Sequence, residues 1–247
     1  MTVNPMAAGK VYTRSFFNRI YAQMVPCVLC ARPAPPNPGL CADCQADLPW
    51  LRGPLCRCAL PCAPDLPRSD DALAPVCGRC LADPPPFLGI QAALAYGHPL
   101  APLVNRWKHR QQLALSRPLA ALLASVAWLP DTDMVVPVPL HWRRQWQRGF
   151  NQAALLAATL ARRQRRPLVN ALRRRHDRAH QQGQSARQRR QAGSGVYQAR
   201  GPLTGRRILL VDDVVTTGAT VRAATRALLD AGADSVSVVA LARVLPP

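Results

Sequence analysis

From Leu88 onward, the apolar positions change period along the chain in a regular way. Leu88 to Tyr96 is a mostly apolar run of strand length, and Leu100 to Arg110 follows with helical spacing. Pro118 to Trp128 predicts a second helix, with Ser116 near its cap. Met134 to Val138 is a short apolar strand that runs into Pro139, Leu140 and an arginine-rich loop to Gly149. In Asn151 to Arg163, the residues Ala153, Leu156, Ala157 and Leu160 fall at i, i+3, i+4 and i+7, which is one face of a helix. Leu168 to Leu172 reads as a short strand, and residues 173–195, dense in Arg, Gln and Gly, as a mobile loop. Ile208 to Val211 is an unbroken apolar run, as expected for a central strand buried on both faces. Thr220 to Ala231 predicts a helix that stops at Gly232, and Ser235 to Leu241 the last strand. Alternating strands and helices predict an α/β fold, a parallel sheet flanked by helices.

Residues 27–86 follow a different rule. They are rich in Cys and Pro, with few long apolar runs, so they bury little core and need a staple. All nine cysteines lie between Cys27 and Cys80. Pro84, Pro85 and Pro86 form a stiff boundary, which predicts a small Cys-rich domain at 27–86 and an α/β domain at 87–247. Cys27-x2-Cys30-x10-Cys41-x2-Cys44 is a pair of CxxC knuckles at zinc-ribbon spacing, and four thiolates complete a tetrahedral Zn²⁺ site. A second set holds Cys56, Cys58, Cys62, Cys77 and Cys80. Cys77 and Cys80 form a regular knuckle, whereas its partner is irregular. Cys56 and Cys58 complete the expected second set, and Cys62 is the alternative ligand. No His or open position points to a catalytic metal, so both zincs are expected to be structural.

Charge adds a further constraint. The net charge is +19, carried by arginine, since lysine occurs only at Lys10 and Lys108. Such a balance fits attraction to polyanions, nucleic acid above all. A GC-rich coding sequence also favours arginine over lysine, and both accounts stay open. There is no glutamate, so any carboxylate base must be an aspartate. No apolar run reaches the roughly 20 residues of a membrane span. Met1 to Met24 lacks the apolar core of a secretory signal, and the cytoplasm is the expected compartment.

The chemistry concentrates in Ile208-Leu209-Leu210-Val211-Asp212-Asp213-Val214-Val215-Thr216-Thr217-Gly218-Ala219-Thr220. A buried strand delivers two carboxylates to its C-terminal end, where open α/β sheets bind ligands. A Thr and Gly loop then opens a helix whose first N–H groups favour a phosphate. Gly218 allows close backbone approach, and Thr216, Thr217 and Thr220 add hydroxyl donors. Asp212 and Asp213 suit ribose hydroxyls, or a Mg²⁺ that bridges them to a pyrophosphate.

This segment resembles the motif with which type I phosphoribosyltransferases bind 5-phosphoribosyl pyrophosphate (PRPP). Val136-Pro137-Val138-Pro139-Leu140, Arg148-Gly149-Phe150-Asn151-Gln152 and the Cys-rich N-terminal part together resemble the ComF/GntX family of competence-associated proteins, over about residues 27–243. The resemblance implies a type I phosphoribosyltransferase fold behind a double zinc ribbon. It implies PRPP bound by Asp212, Asp213, Thr216, Thr217, Gly218, Ala219 and Thr220, with Mg²⁺ on the pyrophosphate. It also implies a link to DNA uptake and its machinery; beside a transferase stands the alternative of a non-catalytic protein that senses PRPP in the same pocket while its basic surface and zinc ribbons hold single-stranded DNA. Its pyrophosphate side matches Pro139, Arg148 and Gly149, with Arg143 and Arg144 as further clamps. Trp142 and Trp146 either stack bases or cover the helix packing beneath them. Asn151 and Gln152 either cap the helix or touch substrate. Lys108 matches a family lysine, and a solvated helix face explains it equally well. Arg173 to Arg190 stands where the family has a hood over PRPP, with Gln181, Ser185, Arg187 and Arg190 on its pattern. Leu55 departs from the family, standing where a second-zinc cysteine is usual. Ala192 and Arg178 also depart, in place of the usual Asn and Thr. The acceptor of the ribose 5-phosphate is not specified by the resemblance.

Overall fold

The computed structural model describes residues 24–36, 38–63, 75–125, 130–140, 146–174 and 196–246. The chain packs as two compact units, Met1–Asp47 and Leu48–Pro247. In the first, strands β1 (Val25–Pro26) and β2 (Pro33–Ala34) pair antiparallel, and a single helical turn, α1 (Ala42–Ala46), follows Cys41. Apolar material is scarce here, and among the described residues of this unit the buried hydrophobic side chains are Cys27, Ala34 and Leu40.

The larger unit begins with an irregular segment that carries the second cysteine group and ends in the short helix α2 (Gly78–Ala82). The boundary expected at residues 86–87 therefore falls inside this unit. Ala59, between two of the cysteines, is fully buried in the same apolar cluster as Ile90, Val136, Leu210 and Val238 of the sheet. Then come β3 (Ile90–Ala95), α3 (Leu100–His109), α4 (Ser116–Ala124), β4 (Met134–Pro137) and α5 (Gln152–Gln164). A hairpin of β5 (Leu172–Arg174) and β6 (Tyr197–Ala199) precedes β7 (Arg207–Val215), α6 (Ala219–Leu229) and β8 (Ser235–Arg243). The sheet runs β3-β8-β7-β4, and every pairing in it is parallel.

Strands β7 and β8 occupy the centre, which explains their unbroken apolar runs. Ile208, Leu209, Leu210 and Val211 are all fully buried. Helix α5 lays Ala153, Leu156, Ala157 and Leu160 inward, as the periodicity predicts. Two expectations need correction. The strand expected at Leu168 to Leu172 is split. Leu168 only bridges to Val135 at the sheet's edge, and β5 begins at Leu172 in the separate hairpin. Strand β7 also runs beyond the apolar tetrad to Val215, so Asp212 and Asp213 sit on a paired strand and not on a free loop. The sheet ladder, not side-chain hydrophobicity, fixes where that strand ends.

Candidate functional site

The C-terminal ends of β4 and β7 lie side by side, with Pro137 opposite Val211 and the Val138 N–H donating to the Val211 carbonyl at 2.9 Å. Pro139, just past the end of β4, and the acid pair on β7 therefore lie toward the same end of the sheet. Asp212 and Asp213 are half-buried. The Asp213 N–H donates to Asp212 Oδ1 at 2.8 Å, and the Val214 N–H to Asp213 Oδ1 at 2.6 Å. Burial, reinforced by the charge of Asp213, pushes the Asp212 carboxyl up to about 7. Asp213 has a counterion, because Lys108 Nζ on α3 lies 2.9 Å from its Oδ2, with side-chain exposures of 17% and 13%. The structure thus separates the two accounts of Lys108. It is a partner of the acid pair, not a solvated residue. Its proximity also pulls Asp212 downward, against the two larger effects.

The loop that follows is built for close approach. Gly218 has φ 86°, a left-handed conformation that a side chain would strain, and it forms the N-cap of α6. The Ala219 N–H donates to Thr217 Oγ1 at 3.3 Å. Thr216, Thr217, Ala219 and Thr220 are exposed around this helix start. The arrangement supplies donors and a helix N-terminus on one side of a carboxylate pair, which suits an anion and a polyol in one ligand.

Helix α3 also anchors the second loop. Trp107, fully buried, meets the Phe150 ring at a centroid distance of 6.0 Å, and its Nε1–H donates to Ser116 Oγ. Ser116 thus braces an indole and leaves the helix uncapped by its side chain. Asn151 is the cap of α5. Its Oδ1 accepts the Ala153 N–H at 3.0 Å and its Nδ2 donates to the Val138 carbonyl at 3.0 Å, which ties the loop to the end of β4. Gln152 is buried, and its Oε1 accepts from Arg148 Nη1 at 3.4 Å. Gly149 has φ 75° at the turn between them. Trp146 is 89% exposed, so it does not cover the helix packing. Trp142, Arg143, Arg144, Gln181, Ser185, Arg187 and Arg190 lie outside the described residues.

Two groups of four sulfurs form among the described residues, Cys27, Cys30, Cys41 and Cys44, and Cys56, Cys58, Cys77 and Cys80. Within each, all sulfurs lie within 4.8 Å of one another. Sulfur separations of 3.6 Å (Cys30 to Cys41) and 3.7 Å (Cys58 to Cys77) match the edge of about 3.8 Å that a tetrahedron of Zn–S bonds requires. Backbone N–H groups point at the sulfurs, Cys41 to Cys27 Sγ and Cys77 to Cys56 Sγ. At Cys27, burial pushes the thiol up, but the N–H groups of Cys30 and Cys41 outweigh it and bring it to about 6. Both donor sets fit structural zinc. The irregular half of the second set works because Ala59, at φ 58°, closes a tight turn from the Cys56 carbonyl. Cys62 is left out, with its Sγ 3.7 Å from the Pro54 carbonyl.

Sequence reasoning missed one residue that braces the candidate site. Arg243, 3% exposed at the end of β8, sends its guanidinium to the carbonyls of Cys58, Val215, Thr216 and Val244. Burial pulls this group down, while the thiol groups of Cys58 and Cys80 hold it up.

The comparisons with known proteins agree with this architecture. Residues 148–245 match the model of the phosphoribosyl transferase domain. The chain is 34% identical to the DNA utilization protein YhgH of Escherichia coli K12 over 227 residues, covering 84% of this chain and 98% of the relative. It is 33% identical to competence protein F of Haemophilus influenzae, covering 83% and 90% of the two chains. It is 28% identical to competence protein ComFC of Bacillus subtilis, covering 84% and 85%. A parallel sheet flanked by helices, two four-cysteine groups and kinship over most of the length identify the chain as a member of the ComF/YhgH competence and DNA utilization family, with a phosphoribosyltransferase domain.

Proposed function

We propose that this protein binds PRPP at the Asp212–Thr220 loop and serves DNA utilization in the cytoplasm. The observation that carries the proposal is a half-buried acid pair near the end of β7, followed through Thr216 and Thr217 by a left-handed glycine and an exposed helix N-terminus. The 5-phosphate takes the N–H groups of Ala219, which exchanges its Thr217 Oγ1 partner for the ligand, and of Thr220, with the hydroxyls of Thr216, Thr217 and Thr220. Asp212 and Asp213 accept from the ribose hydroxyls, with Lys108 paired to Asp213 at their side. Arg148, steadied by Gln152 and by the turn at Gly149, faces the pyrophosphate with Pro139. Mg²⁺ carried by the ligand fits the oxygen donors of the acid pair and supplies charge neutralisation on the pyrophosphate. If transfer follows, the bond from ribose C1 to the pyrophosphate oxygen breaks, pyrophosphate leaves, and an acceptor nucleophile bonds to C1.

The test is calorimetry of the zinc-loaded protein with PRPP and Mg²⁺. Asp212→Ala with Asp213→Ala should abolish the binding heat while zinc content and helicity stay at parental values. Unchanged PRPP affinity in the double variant overturns the site. Pyrophosphate release on adding candidate acceptors separates transfer from sensing.

Single-stranded DNA binding is the second function we propose. It is supported by the bare indole of Trp146 beside Arg148, and by the exposed Arg173 and Arg200 along the β5–β6 hairpin.

A further inference from the structure

The second cysteine group is attached to the ligand loop. Arg243 Nε donates to the Cys58 carbonyl at 3.0 Å, and its Nη1 donates to Val215 at 3.0 Å and also to Thr216. One planar guanidinium thereby joins a metal-ligating residue to the first residues of the loop. A second link reaches the far end of the loop. Arg222, on the first turns of α6, donates to the Asp83 and Pro84 carbonyls at 2.8 and 3.3 Å, just beyond the knuckle helix α2. The segment Thr216–Gly218 hangs between these two clamps.

Electrostatics gives the arrangement its direction. Among the described residues no carboxylate is ion-paired with Arg243, although it is almost wholly buried. A buried cation without a counter-charge is costly. Four thiolates on one Zn²⁺ carry a net charge of minus two, and the sulfurs of Cys58 and Cys80 belong to that group. Removing the metal frees the tight turn that presents the Cys58 carbonyl. The guanidinium then loses one of its acceptors.

We propose that Arg243 is a positioning residue that transmits occupancy of the Cys56–Cys58–Cys77–Cys80 metal site to the Thr216–Thr220 loop, so that metal loss there weakens PRPP binding. The ligand named here rests on the proposed function, whereas the coupling of metal to loop does not. By linkage the effect runs both ways, and bound PRPP retards loss of that zinc.

The experiment is hydrogen–deuterium exchange of the full-length protein over residues 213–221, zinc-loaded and after chelation, in the parent, Arg243→Met and Arg243→Lys. In the parent, chelation should speed exchange of the loop amides by roughly tenfold or more, while β4 and α5 stay protected. Zinc-loaded Arg243→Met should already exchange as fast as the metal-free parent, and chelation should add less than about twofold, because both perturbations break one connection. Arg243→Lys keeps the charge without the planar fork and should fall between them. Parental loop exchange that ignores the metal overturns the proposal, as do effects of chelation and Arg243→Met that simply multiply. If chelation also exposes β4 and α5, zinc-loaded Arg243→Met decides alone, and a loop protected as in the parent overturns the coupling. PRPP calorimetry runs in parallel. Zinc-loaded Arg243→Met should bind about tenfold more weakly than the parent. Undiminished affinity overturns the effect on the ligand, and a parent that binds no PRPP sinks the proposed function while exchange still judges the coupling.

Discussion

Replacing Asp212 by asparagine should stabilise the ligand-free protein, and by more as the pH rises. The carboxyl is half-buried at the end of β7, and burial, then the Asp213 charge, lifts it from 3.8 to about 7. Below the unfolded value of about 3.9, folded and unfolded chains both hold the proton and the group costs nothing. Between about 4 and about 7 the unfolded chain ionises while the folded chain resists, so stability falls as the pH rises. Above about 7 the loss is complete. At about 1.4 kcal/mol per pH unit, the lift is on the order of 4 kcal/mol. Solvent reaching a half-buried side chain trims this to roughly 2–3 kcal/mol. Asparagine keeps an oxygen to accept the Asp213 N–H, now at 2.8 Å, so charge is the variable. Thermal unfolding of zinc-loaded parent and variant should give a gap in Tm that opens by roughly 5–8 °C between about pH 5 and about pH 8.5. Protonation of the thiols is common to both proteins and cancels in the difference. Lys108→Met removes a charge that pulls Asp212 downward, so it should move the fall in parental stability to higher pH. Parallel Tm profiles for parent and Asp212→Asn would refute the reasoning.

Cys41→Ser should lose one zinc and leave the thermal transition of the larger unit in place, because its four-sulfur group lies within Met1–Asp47. Cys77→Ser should lose the other zinc and lower the main transition, since Ala59 beside that group is part of the sheet's core; metal analysis with calorimetry checks both. Trp146→Ala should weaken single-stranded DNA binding by about 1–3 kcal/mol and leave PRPP binding unchanged, as measured by fluorescence anisotropy and calorimetry. Charge reversal at Arg173 and Arg174 should flatten the salt dependence of DNA binding by roughly 0.7 per lost phosphate contact, and filter binding at several salt concentrations reads it. A parental slope near zero would remove the DNA-binding function.

What the sequence made legible is what lies within one element. The period of Ala153, Leu156, Ala157 and Leu160 is a property of one helix, and all four are buried against the sheet. The acid pair, the threonines and Gly218 form one continuous turn, so their chemistry is written in order along the chain. The two CxxC knuckles of the first group are equally local. The second group was harder, because Cys56 and Cys58 are brought together by a tight turn through Ala59 at a left-handed φ, which no spacing rule announces. How the chain partitions is likewise not written in one stretch of sequence. Prolines at 84–86 mark a stiff stretch, but a stiff stretch is not a packing boundary once Ala59 and Phe87 enter one core.

Long-range pairs carried no signal at all, and they change the meaning of the charge. Arg243 meets Cys58 across 185 residues, and nothing local distinguishes it from any other arginine at the end of an apolar strand. Arg57 donates to the Phe87 carbonyl, and Arg222 to those of Asp83 and Pro84. Arg166 and Arg207 are held by Asp131 and Asp133 beneath the sheet, at the edge opposite the ligand loop. All these arginines brace the chain against itself. A net charge of +19 therefore overstates the attraction to a polyanion, although the formal sum counts every arginine alike. Arg173 and Arg200 are exposed at the hairpin and hydrogen-bond to neutral groups, the Gln198 side chain and the Leu172 carbonyl, so their charge still faces solvent. The salt slope of any DNA complex should follow that smaller set, since only contacts that displace counterions enter it.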